Sequence, residues 1–498
     1  MAVIYKDYSN IKLGTTDLQR VFAGDTLCWE LESPTPTGYS KQFLTLIALD
    51  SGTFQWTPSD IIDYGIQYSL DSGATWSQMT TNSITVNVSS GDVVMWAGEN
   101  HLGEVGTFSA STASFNVEGN ALSLIWGKDD HWGNTEFPNR SGSLNRDFYR
   151  LFYKTKVVDA SNLVLQPTVC TQSCYEGMFS DCTYLTSAPK LPATTLAESC
   201  YSLMFNRCTS LTTAPTLTVT TLANSCYYYM FNGCSSLTQA PQLPATTLAS
   251  SCYEAMFSGC TSLAQAPQLL ATTLANKCYY AMFQVCRSLT AAPQLPATAM
   301  TQQCYSYMFQ ECSSLVNAPQ LPATTLANSC YASMFAFCSS LTQAPQLNAT
   351  ALENGCYASM FKGCTQLTAT PQLSATTMID YCYEYMFSGC TNLVNVSSLP
   401  ATTLDYACYR GMFKNCTSLT TAPYLSATTL AQYCYQYMFQ NCSSLNYIKM
   451  LATNISATDC LTNWVNGVSA SGTFVKDANT TIPSGNNGIP TGWTVQNE

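Results

Sequence analysis

The sequence predicts a mixed α/β repeat solenoid preceded by a small antiparallel β-sandwich. Two observations support this prediction. One cysteine-containing phrase recurs every 26 residues over more than half of the chain, and the residues before it form short apolar runs separated by Gly, Ser and Asp. A fixed period of this length is typical of a solenoid, in which each unit buries its apolar face only against its neighbours.

The repeat is defined by the phrase CYxxMFxxC. Its first cysteine occurs eleven times at an unbroken spacing of 26 residues, and a second cysteine follows each one eight residues later. Cys460 continues the spacing in a degenerate unit. The first cysteines of the eleven units are Cys174, Cys200, Cys226, Cys252, Cys278, Cys304, Cys330, Cys356, Cys382, Cys408 and Cys434.

Within a unit, Leu222, Cys226, Met230 and Cys234 follow one another at four-residue intervals. This spacing is typical of one face of a helix, so the sequence predicts a short helix with one buried side. The stretch that follows, SSLTQAPQLPATT, contains a proline, which ends a helix and favours a short extended segment. Each coil is therefore predicted to be helix, short strand and turn.

The repeat cysteines are predicted to be buried free thiols. Cys226 and Cys234 would lie about 12 Å apart on one helix, which is too far for a disulfide. Pairing between coils stays open on spacing alone. The Cys-x7-Cys spacing lacks the paired knuckle of a zinc site, and the repeats contain no histidine. Two interior columns that need a small, tightly packing residue explain the pattern, and no metal or other cofactor is expected.

The front of the chain has a different pattern. Runs such as FLTLIAL, IQYSL, SITVNV and VVMWAG alternate with turn residues and indicate the strands of an antiparallel sandwich. Six of the eight tryptophans precede residue 133 and none lies in the eleven repeats. The sequence therefore predicts two separate cores, with a hinge near residues 127–145.

These features predict five regions, with atypical units at both ends of the repeats because the terminal apolar faces must be covered. They are an N-terminal β attachment segment at 1–35, an Ig-like β-sandwich at 36–132, a linker and capping coil at 133–173, the eleven-repeat solenoid at 174–445 and a C-terminal cap at 446–498.

Charge and hydropathy exclude several classes of partner. Only 10 % of the residues are charged, the net charge is -11, and there is no basic run. We therefore expect neither nucleic-acid binding nor a polybasic contact with lipid. No run of 18 apolar residues occurs, so membrane insertion is not expected, and the start MAVIYKDYSNIKLG does not have the pattern of a signal peptide.

The unit NGCSSLTQAPQLPATTLANSCY resembles leucine-rich repeats of the BspA type, over about residues 145–498. Such repeats occur in surface proteins of gut Bacteroidales and in proteins of bacteriophages that infect them. The resemblance implies adhesion or recognition of a host cell-surface protein or glycan, and no enzymatic activity.

A shorter segment, Ile11 to Glu30, is similar to the start of phage virion and tail-associated proteins. Together the two resemblances imply a virion appendage such as a tail fibre, made in the host cytoplasm, released by lysis and attached to other virion proteins through its N-terminal region. A bacterial surface adhesin and a purely structural capsid decoration protein are the alternatives. A homo-oligomer is left open.

Two sets of polar residues are candidates for binding. Tyrosines shortly after the Cys-Tyr pair project toward solvent on the predicted helix, and exposed tyrosine is common on surfaces that bind sugars or proteins. The predicted tyrosines are Tyr228, Tyr229, Tyr280, Tyr307, Tyr385 and Tyr437.

A glutamine recurs at one position of six successive coils. This column is either an amide ladder that hydrogen-bonds along its own stack or a polar stripe that binds sugar hydroxyls. The predicted glutamines are Gln242, Gln268, Gln294, Gln320, Gln346 and Gln372.

No catalytic residue is predicted. His101 and His131 are the only histidines, and neither lies in a nucleophile motif. A glycan-cleaving enzyme would need two carboxylates; Asp380 and Glu384 share a predicted helix face but do not recur in other coils. The phrase SLDSGATW fits an Asp-box, which predicts a hairpin staple rather than a catalytic element.

Overall fold

The computed structural model describes residues 42–59, 65–78, 83–99, 103–127, 136–138 and 145–498, together with the backbone of four short strands nearer the N-terminus. These four strands pair as two antiparallel hairpins. They are β1 (Lys12–Leu13), β2 (Thr16–Asp17), β3 (Arg20–Ala23) and β4 (Thr26–Glu30). The attachment role of segment 1–35 stays a prediction.

The next strands form two facing sheets. Their order in the larger sheet is β12-β11-β5-β10-β7-β8, while β6 pairs with β9 in the smaller one. The strands are β5 (Leu44–Ala48), β6 (Gly52–Trp56), β7 (Gln67–Ser69), β8 (Ser77–Gln78), β9 (Ile84–Val88), β10 (Val93–Ala97), β11 (Ser114–Asn120) and β12 (Lys156–Val164), with one helical turn, α1 (Ser123–Trp126), after β11.

The sandwich core is aromatic. Phe54 of β6 lies edge-on to Phe115 of β11 at 5.3 Å between ring centroids, and Trp56 of β6 stacks on Trp96 of β10 at 6.4 Å. In β9 the inward residues are buried and the alternating ones exposed, which is the pattern of a strand with one face in a core. The predicted β-strands of this region are present.

The prediction of two separate cores is wrong. Strand β12 belongs to the first capping coil of the solenoid, yet it pairs in parallel with β11 of the sandwich. Phe152 lies 5.6 Å from Phe108 of the sandwich and 5.2 Å from Phe179 of the first repeat, measured between ring centroids. The buried residues therefore form one continuous cluster. The end of a solenoid has to be covered, and here the sandwich covers it.

The prediction of a helix in each coil is also wrong. In residues 145–498 the structure has no α-helix. Every fourth residue of the segment has a left-handed backbone, as at Ser225, Tyr229 and Gly233, with φ values of 52°, 53° and 71°. A helix cannot contain such residues at regular intervals. We call residues 222–234 and their equivalents at 26-residue spacing the turn segment, because the chain there is a series of tight turns.

The hydrogen bonds of the turn segment alternate between local and long-range partners. The Met230 N–H donates to the carbonyl of Tyr227 at 3.2 Å, within the same turn. The Tyr227 N–H donates to Cys252 at 3.1 Å and the Phe231 N–H to Met256 at 2.9 Å, both in the next coil. Half of the backbone N–H groups thus donate to the next coil. These bonds between coils take the place of the hydrogen bonds that a helix would form within itself.

The rest of each coil is held by single parallel bridges rather than by a strand. Three positions of the coil are involved, illustrated by Thr221 with Thr247, Gln239 with Gln265, and Leu243 with Leu269. The extended character predicted after the proline is therefore present, but it is limited to isolated bridges.

Two continuous aromatic columns run through the interior of the stack. The buried tyrosines that follow the first cysteine stack from Tyr175 to Tyr435 at 5.3–6.1 Å between ring centroids. The phenylalanines stack from Phe152 to Phe439 at 5.2–5.8 Å. Offset stacking of this kind adds to the energy of burial, so each coil stabilises its two neighbours.

The cysteine columns lie beside the aromatic ones. All 24 cysteines between residues 170 and 460 are buried with free thiols, so the predicted burial is confirmed. The second cysteine of each unit also has a role that the sequence did not predict. Its thiol donates to the phenylalanine carbonyl of the preceding coil, as in Cys234 to Phe205 at 3.1 Å, and this contact occurs in all eleven units.

The C-terminal end of the stack is closed by a tryptophan and a small parallel sheet. Trp464 stacks on Tyr435 at 6.3 Å and lies 6.0 Å from Phe439, so one ring covers both aromatic columns. Its indole N–H donates to the Gly488 carbonyl at 2.8 Å. The sheet consists of β13 (Tyr447–Met450), β14 (Thr473–Lys476) and β15 (Thr494–Asn497), all parallel.

Replacing Met282 and Phe283 together with alanine is expected to destabilise the middle of the solenoid. Both side chains are fully buried, and each large-to-small truncation in a core costs about 3–5 kcal/mol. Because each coil contacts only its neighbours, the loss is expected to reach the two adjacent coils. Thermal melting checks this, and an unchanged transition would show that these residues do not hold the core.

Candidate binding surface on the turn segment

All six predicted tyrosines lie in the turn segment and are half-buried. The sequence placed them on the solvent side of a helix, whereas the structure places them on turns, where they lean against neighbouring coils. They fall into two groups. The first group, in the third to sixth coils, is Tyr228, Tyr229, Tyr280 and Tyr307, and the second group is Tyr385 and Tyr437.

The first group forms a tyrosine patch around a buried carboxylate. The rings of Tyr228 and Tyr229 lie 4.4 Å apart, and those of Tyr280 and Tyr307 lie 5.3 Å apart. Glu254 lies between the two pairs, and burial raises the pKa of its carboxyl group. Partial burial and the nearby charges of Tyr229 and Glu254 raise the pKa of Tyr228 to about 12. Burial also raises the pKa values of Tyr229 and Tyr280, so these three hydroxyl groups stay protonated and can donate hydrogen bonds at neutral pH.

The second group is surrounded by basic residues. The ammonium group of Lys362 lies 5.7 Å from the Tyr385 ring centroid, and the Arg410 guanidinium lies 5.8 Å from the same centroid. Lys414 lies 5.3 Å from the Tyr437 ring centroid. These distances are in the range of cation–π contacts. We call Lys362, Tyr385, Arg410, Lys414 and Tyr437 the basic tyrosine patch.

The coils between the two patches have small residues at the same positions. Ala332, Ser333, Ala358 and Ser359 occupy the places that tyrosines fill on either side. The interior columns do not change across these coils. The exposed part of the turn segment therefore varies while the core is constant, and the two groups of predicted tyrosines are separated by coils with small residues at these positions.

Sequence reasoning missed a third set of tyrosines. Tyr381, Tyr406 and Tyr433 are half-buried and form a zigzag of edge-on rings at 5.2 and 5.3 Å between centroids. They lie one or two residues before the first cysteine, whereas only the positions after the Cys-Tyr pair were considered. A tyrosine within two residues before the first cysteine in three successive coils is the signal that could have found them.

The six predicted glutamines are exposed. Within the part of the chain that the structure describes, no hydrogen bond joins one of these side chains to the next, so the structure lacks the amide ladder that was one interpretation. Instead, amide contacts between coils occur in the turn segment, where Gln284 donates to Gln310 at 2.6 Å and Asn441 donates to Asn415 at 2.9 Å. The role of the glutamines as a sugar-binding stripe stays a prediction.

Glycine makes room for the large side chains of the patch. The Tyr385 ring lies over Gly411, one coil further on, and a Cβ atom at Gly411 would overlap the ring at Cε1. Phe337 lies over Gly363 in the same way. A large residue followed 26 positions later by glycine is visible in the sequence and indicates a ring that folds over the next coil.

Replacing Gly411 with alanine is expected to displace the Tyr385 ring and lower stability. Gly389→Ala is the matched control. Both glycines have a left-handed backbone, with φ 77° at Gly389 and 58° at Gly411, but a Cβ atom at Gly389 would lie 3.6 Å from its nearest neighbour and would not overlap it. The backbone cost of about 1–2 kcal/mol applies to both, and overpacking adds about 1–3 kcal/mol only at Gly411. Thermal melting and tyrosine absorbance measure the difference; equal losses would contradict the overlap.

The acidic residues that were considered for catalysis do not pair with each other. Glu384 forms an ion pair with Arg410 at 3.3 Å, and burial raises the pKa of its carboxyl group. Partial burial and the charge of Asp405 raise the pKa of Asp380. His101 and His131 lie outside the described residues. Among the residues that are described, no group of three His, Cys, Asp or Glu side chains is placed to hold a metal ion.

The Asp-box phrase is a hairpin staple, as predicted. The Asp71 carboxylate accepts hydrogen bonds from the Thr75 N–H at 2.8 Å and the Thr75 hydroxyl at 2.6 Å. These bonds lower the pKa of Asp71 to about 2. Trp76 donates to the Gly73 carbonyl at 3.1 Å and packs edge-on against Phe43.

The fold and the turn segment together define a repeat solenoid whose variable side chains lie on an unchanging scaffold. Residues 150–289, 228–367 and 332–462 match the BspA type leucine rich repeat region, in six copies. The matches span more than half of the 498 residues, and the chain therefore belongs to this family.

Repeats of this family are typical of surface-binding, adhesin-type proteins and act as non-catalytic interaction modules. No curated protein matches the chain. Within the described ranges, no helix has the length and apolar character needed to cross a membrane.

Proposed function

We propose that this protein is a non-enzymatic bacteriophage virion appendage whose repeat solenoid recognises a protein or glycan on the surface of the host cell. The single observation that most favours recognition is the grouping of half-buried tyrosines into two patches on a scaffold that is otherwise uniform. The family supports an interaction module. The similarity of residues 11–30 to virion proteins favours the phage context.

The scaffold favours recognition because it restrains the binding side chains before a ligand arrives. Tyr228 and Tyr229 are packed ring to ring, and Tyr385 lies over Gly411. A tyrosine that is already restrained loses little conformational freedom when it binds, while its ring and hydroxyl still offer apolar and polar contacts. Two patches on one scaffold can also act together, since linked weak contacts gain from a high effective concentration.

The N-terminal region is proposed to attach the protein to other virion proteins, and the mature protein is proposed to reside in the virion. Because the sandwich and the solenoid share one core, these two parts would move as one piece. A homo-oligomer is compatible with this arrangement. A bacterial surface adhesin is the second candidate, favoured by the occurrence of BspA-type repeats in such proteins, and a capsid decoration protein is the third.

Binding of the full-length chain to intact gut Bacteroidales cells tests the proposal. The chain should not be divided near residues 132–145, since this would separate β11 from β12 and split the core. Saturable binding is expected for the wild type. A variant with Tyr228, Tyr280, Tyr385 and Tyr437 changed to serine is expected to bind at least tenfold more weakly.

The matched control changes two exposed tyrosines outside the turn segment, in the variant Tyr184→Ser/Tyr424→Ser. It is expected to bind as the wild type does. Absence of saturable wild-type binding to any strain would contradict recognition and favour a structural virion component. Detection of the protein in purified virions distinguishes the phage proposal from the adhesin.

A further inference from the structure

Within the eleven repeats, basic residues are concentrated at one place. A second group, Arg146, Arg150 and Lys154, lies beside Tyr149 and Tyr153 in the capping coil before them. Residues 174–445 contain only seven lysines and arginines. Three of these, Lys362, Arg410 and Lys414, belong to the basic tyrosine patch. The other four are distributed along the remaining coils. Residues 174–445, which carry few charges, therefore have one area where basic residues cluster, and this area coincides with half-buried aromatic rings.

The two lysines of the patch are less closely paired than Arg410, although the charge of Lys362 also acts on the Glu384 carboxylate. Arg410 is neutralised by its ion pair with Glu384. Throughout the described ranges, no ion pair within 4.0 Å involves Lys362 or Lys414. The two lysines occupy the same position two coils apart, a separation of about 10 Å from the spacing of neighbouring strands. The intervening residue is Ser388, so no large side chain at that position separates the two lysines.

The charges are ordered along the turn segment. Asp380 and Asp405 lie at its beginning, the Glu384–Arg410 pair follows, the tyrosine rings come next, and the lysines lie at its end. An elongated ligand with an apolar face and an anionic group would therefore have a preferred direction, with its anion away from the aspartates. Charge complementarity of this kind fixes orientation more than it adds affinity.

The backbone of the turn segment is not free to bind a peptide chain. The Tyr385 N–H donates to the Arg410 carbonyl and the Gly411 N–H to the Gln436 carbonyl, both at 2.8 Å, while the Arg410 N–H is bonded within its own turn. Peptides that add to a sheet edge need open backbone donors. The ligand must therefore be recognised by side chains, and aromatic faces beside ammonium groups suit a sugar ring that carries an acidic group.

We propose that the basic tyrosine patch binds an anionic saccharide, with a sugar ring against Tyr385 and Tyr437 and a carboxylate or sulfate group between Lys362 and Lys414. This inference rests on the proposed surface recognition and identifies the class of ligand. The carboxylate and sulfate forms share one chemistry at the lysines, and the probes of the test separate them.

The test measures binding of the full-length protein to immobilised heparin, which is sulfated, to polygalacturonate, which is carboxylated, and to neutral dextran. Binding to at least one acidic polysaccharide and none to dextran is expected. The double variant Lys362→Gln/Lys414→Gln is expected to lose at least tenfold in affinity. Its matched control is Lys156→Gln/Lys190→Gln, which changes two exposed lysines outside both tyrosine patches, alters the net charge equally and is expected to stay within twofold of the wild type. Circular dichroism shows that each variant is folded.

Three outcomes would overturn the site. The first is an equal loss of affinity in the two double variants. The second is wild-type binding to dextran that equals its binding to the acidic polysaccharides, and the third is no wild-type binding to either acidic polysaccharide. The same variants are then tested on host cells. Wild-type cell binding that Lys362→Gln/Lys414→Gln leaves unchanged contradicts the anionic-saccharide site alone. Absence of wild-type cell binding contradicts the proposed function itself. Competition by an acidic peptide but not by polysaccharide would assign the patch to a protein partner and reject the saccharide.

Discussion

Raising the pH above about 8.5 is expected to unfold the repeat solenoid cooperatively. The cysteines of the coils are buried, and burial raises the pKa of their thiols, in Cys234 and Cys338 to about 12. The thiols of the unfolded chain have a pKa of about 8.5. Between these values the unfolded state loses thiol protons that the folded state keeps.

The direction of the effect follows from proton linkage. The folded state binds more protons than the unfolded state in this window, so the free energy of unfolding falls as the pH rises. The stabilisation is complete below the unfolded pKa, where both states are protonated. Each thiol contributes about 1.4 kcal/mol per pH unit. A single column of buried cysteines is therefore sufficient to exceed the stability of an ordinary domain, about 5–15 kcal/mol, within roughly one pH unit.

Circular dichroism between neutral and alkaline pH, with a reducing agent present, measures this transition. Thiolate absorbance is recorded in parallel and is expected to rise together with the loss of structure. Alkylation after denaturation is expected to modify nearly all of the cysteines. Thiols that ionise near pH 8.5 while the fold stays intact would show that the cysteine columns are open to solvent, contrary to their burial.

Replacing Phe152 with alanine is expected to separate the melting of the sandwich from that of the solenoid. The Phe152 ring stacks on Phe108 of the sandwich and on Phe179 of the first repeat. Its loss costs about 3–5 kcal/mol in a core, and it removes the main aromatic contact between the two parts. Six of the eight tryptophans precede residue 133, so tryptophan fluorescence reports mainly the N-terminal part, while Trp464 and Trp493 report the C-terminal cap. Circular dichroism reports the whole chain.

Phe309→Ala is the matched control for this prediction. Phe309 occupies the same column and stacks on a phenylalanine on each side, but it is far along the chain from the sandwich. Both variants are expected to lose similar stability, whereas only Phe152→Ala is expected to give two transitions. A single transition for Phe152→Ala at the temperature of the control would show that β11 and β12 alone hold the two parts together.

The thiol hydrogen bonds explain why cysteine occupies the second interior position. The Phe205 carbonyl already accepts the Cys208 N–H at 3.1 Å, and the Cys234 thiol provides a second donor at 3.1 Å. Alanine would fill the space without this donor, and serine would place a more polar group in an apolar column. Cysteine is a small hydrophobe with a weak donor, which suits a buried carbonyl.

The four-residue spacing of the buried positions shows the limit of local reasoning. Leu222, Cys226, Met230 and Cys234 repeat every four residues without drift. In an α-helix each step of four residues advances by about 40° beyond a full turn, so the last position would leave the buried face. This strict four-residue period is visible in the sequence and favours turns over a helix. A helix was predicted because the spacing between any two successive buried positions also fits a helix.

The sequence by itself determined the period, the identity of the core residues and the need for atypical units at both ends. It could do so because identical coils repeat identical contacts, so Tyr227, Phe231 and the cysteines are buried wherever the phrase recurs. It also determined the family. These properties depend on residues within one coil and its copies.

The tertiary structure alone decided three things: the left-handed turns, the continuity of the core from sandwich to solenoid, and the grouping of the tyrosines and lysines into patches. Each depends on partners distant along the chain. The Tyr227 N–H bonds to Cys252 in the next coil, Phe152 meets Phe108 across the predicted hinge, and Lys362 meets Tyr385. Local propensity does not predict such contacts, because they form and stabilise the fold only when the coils are stacked.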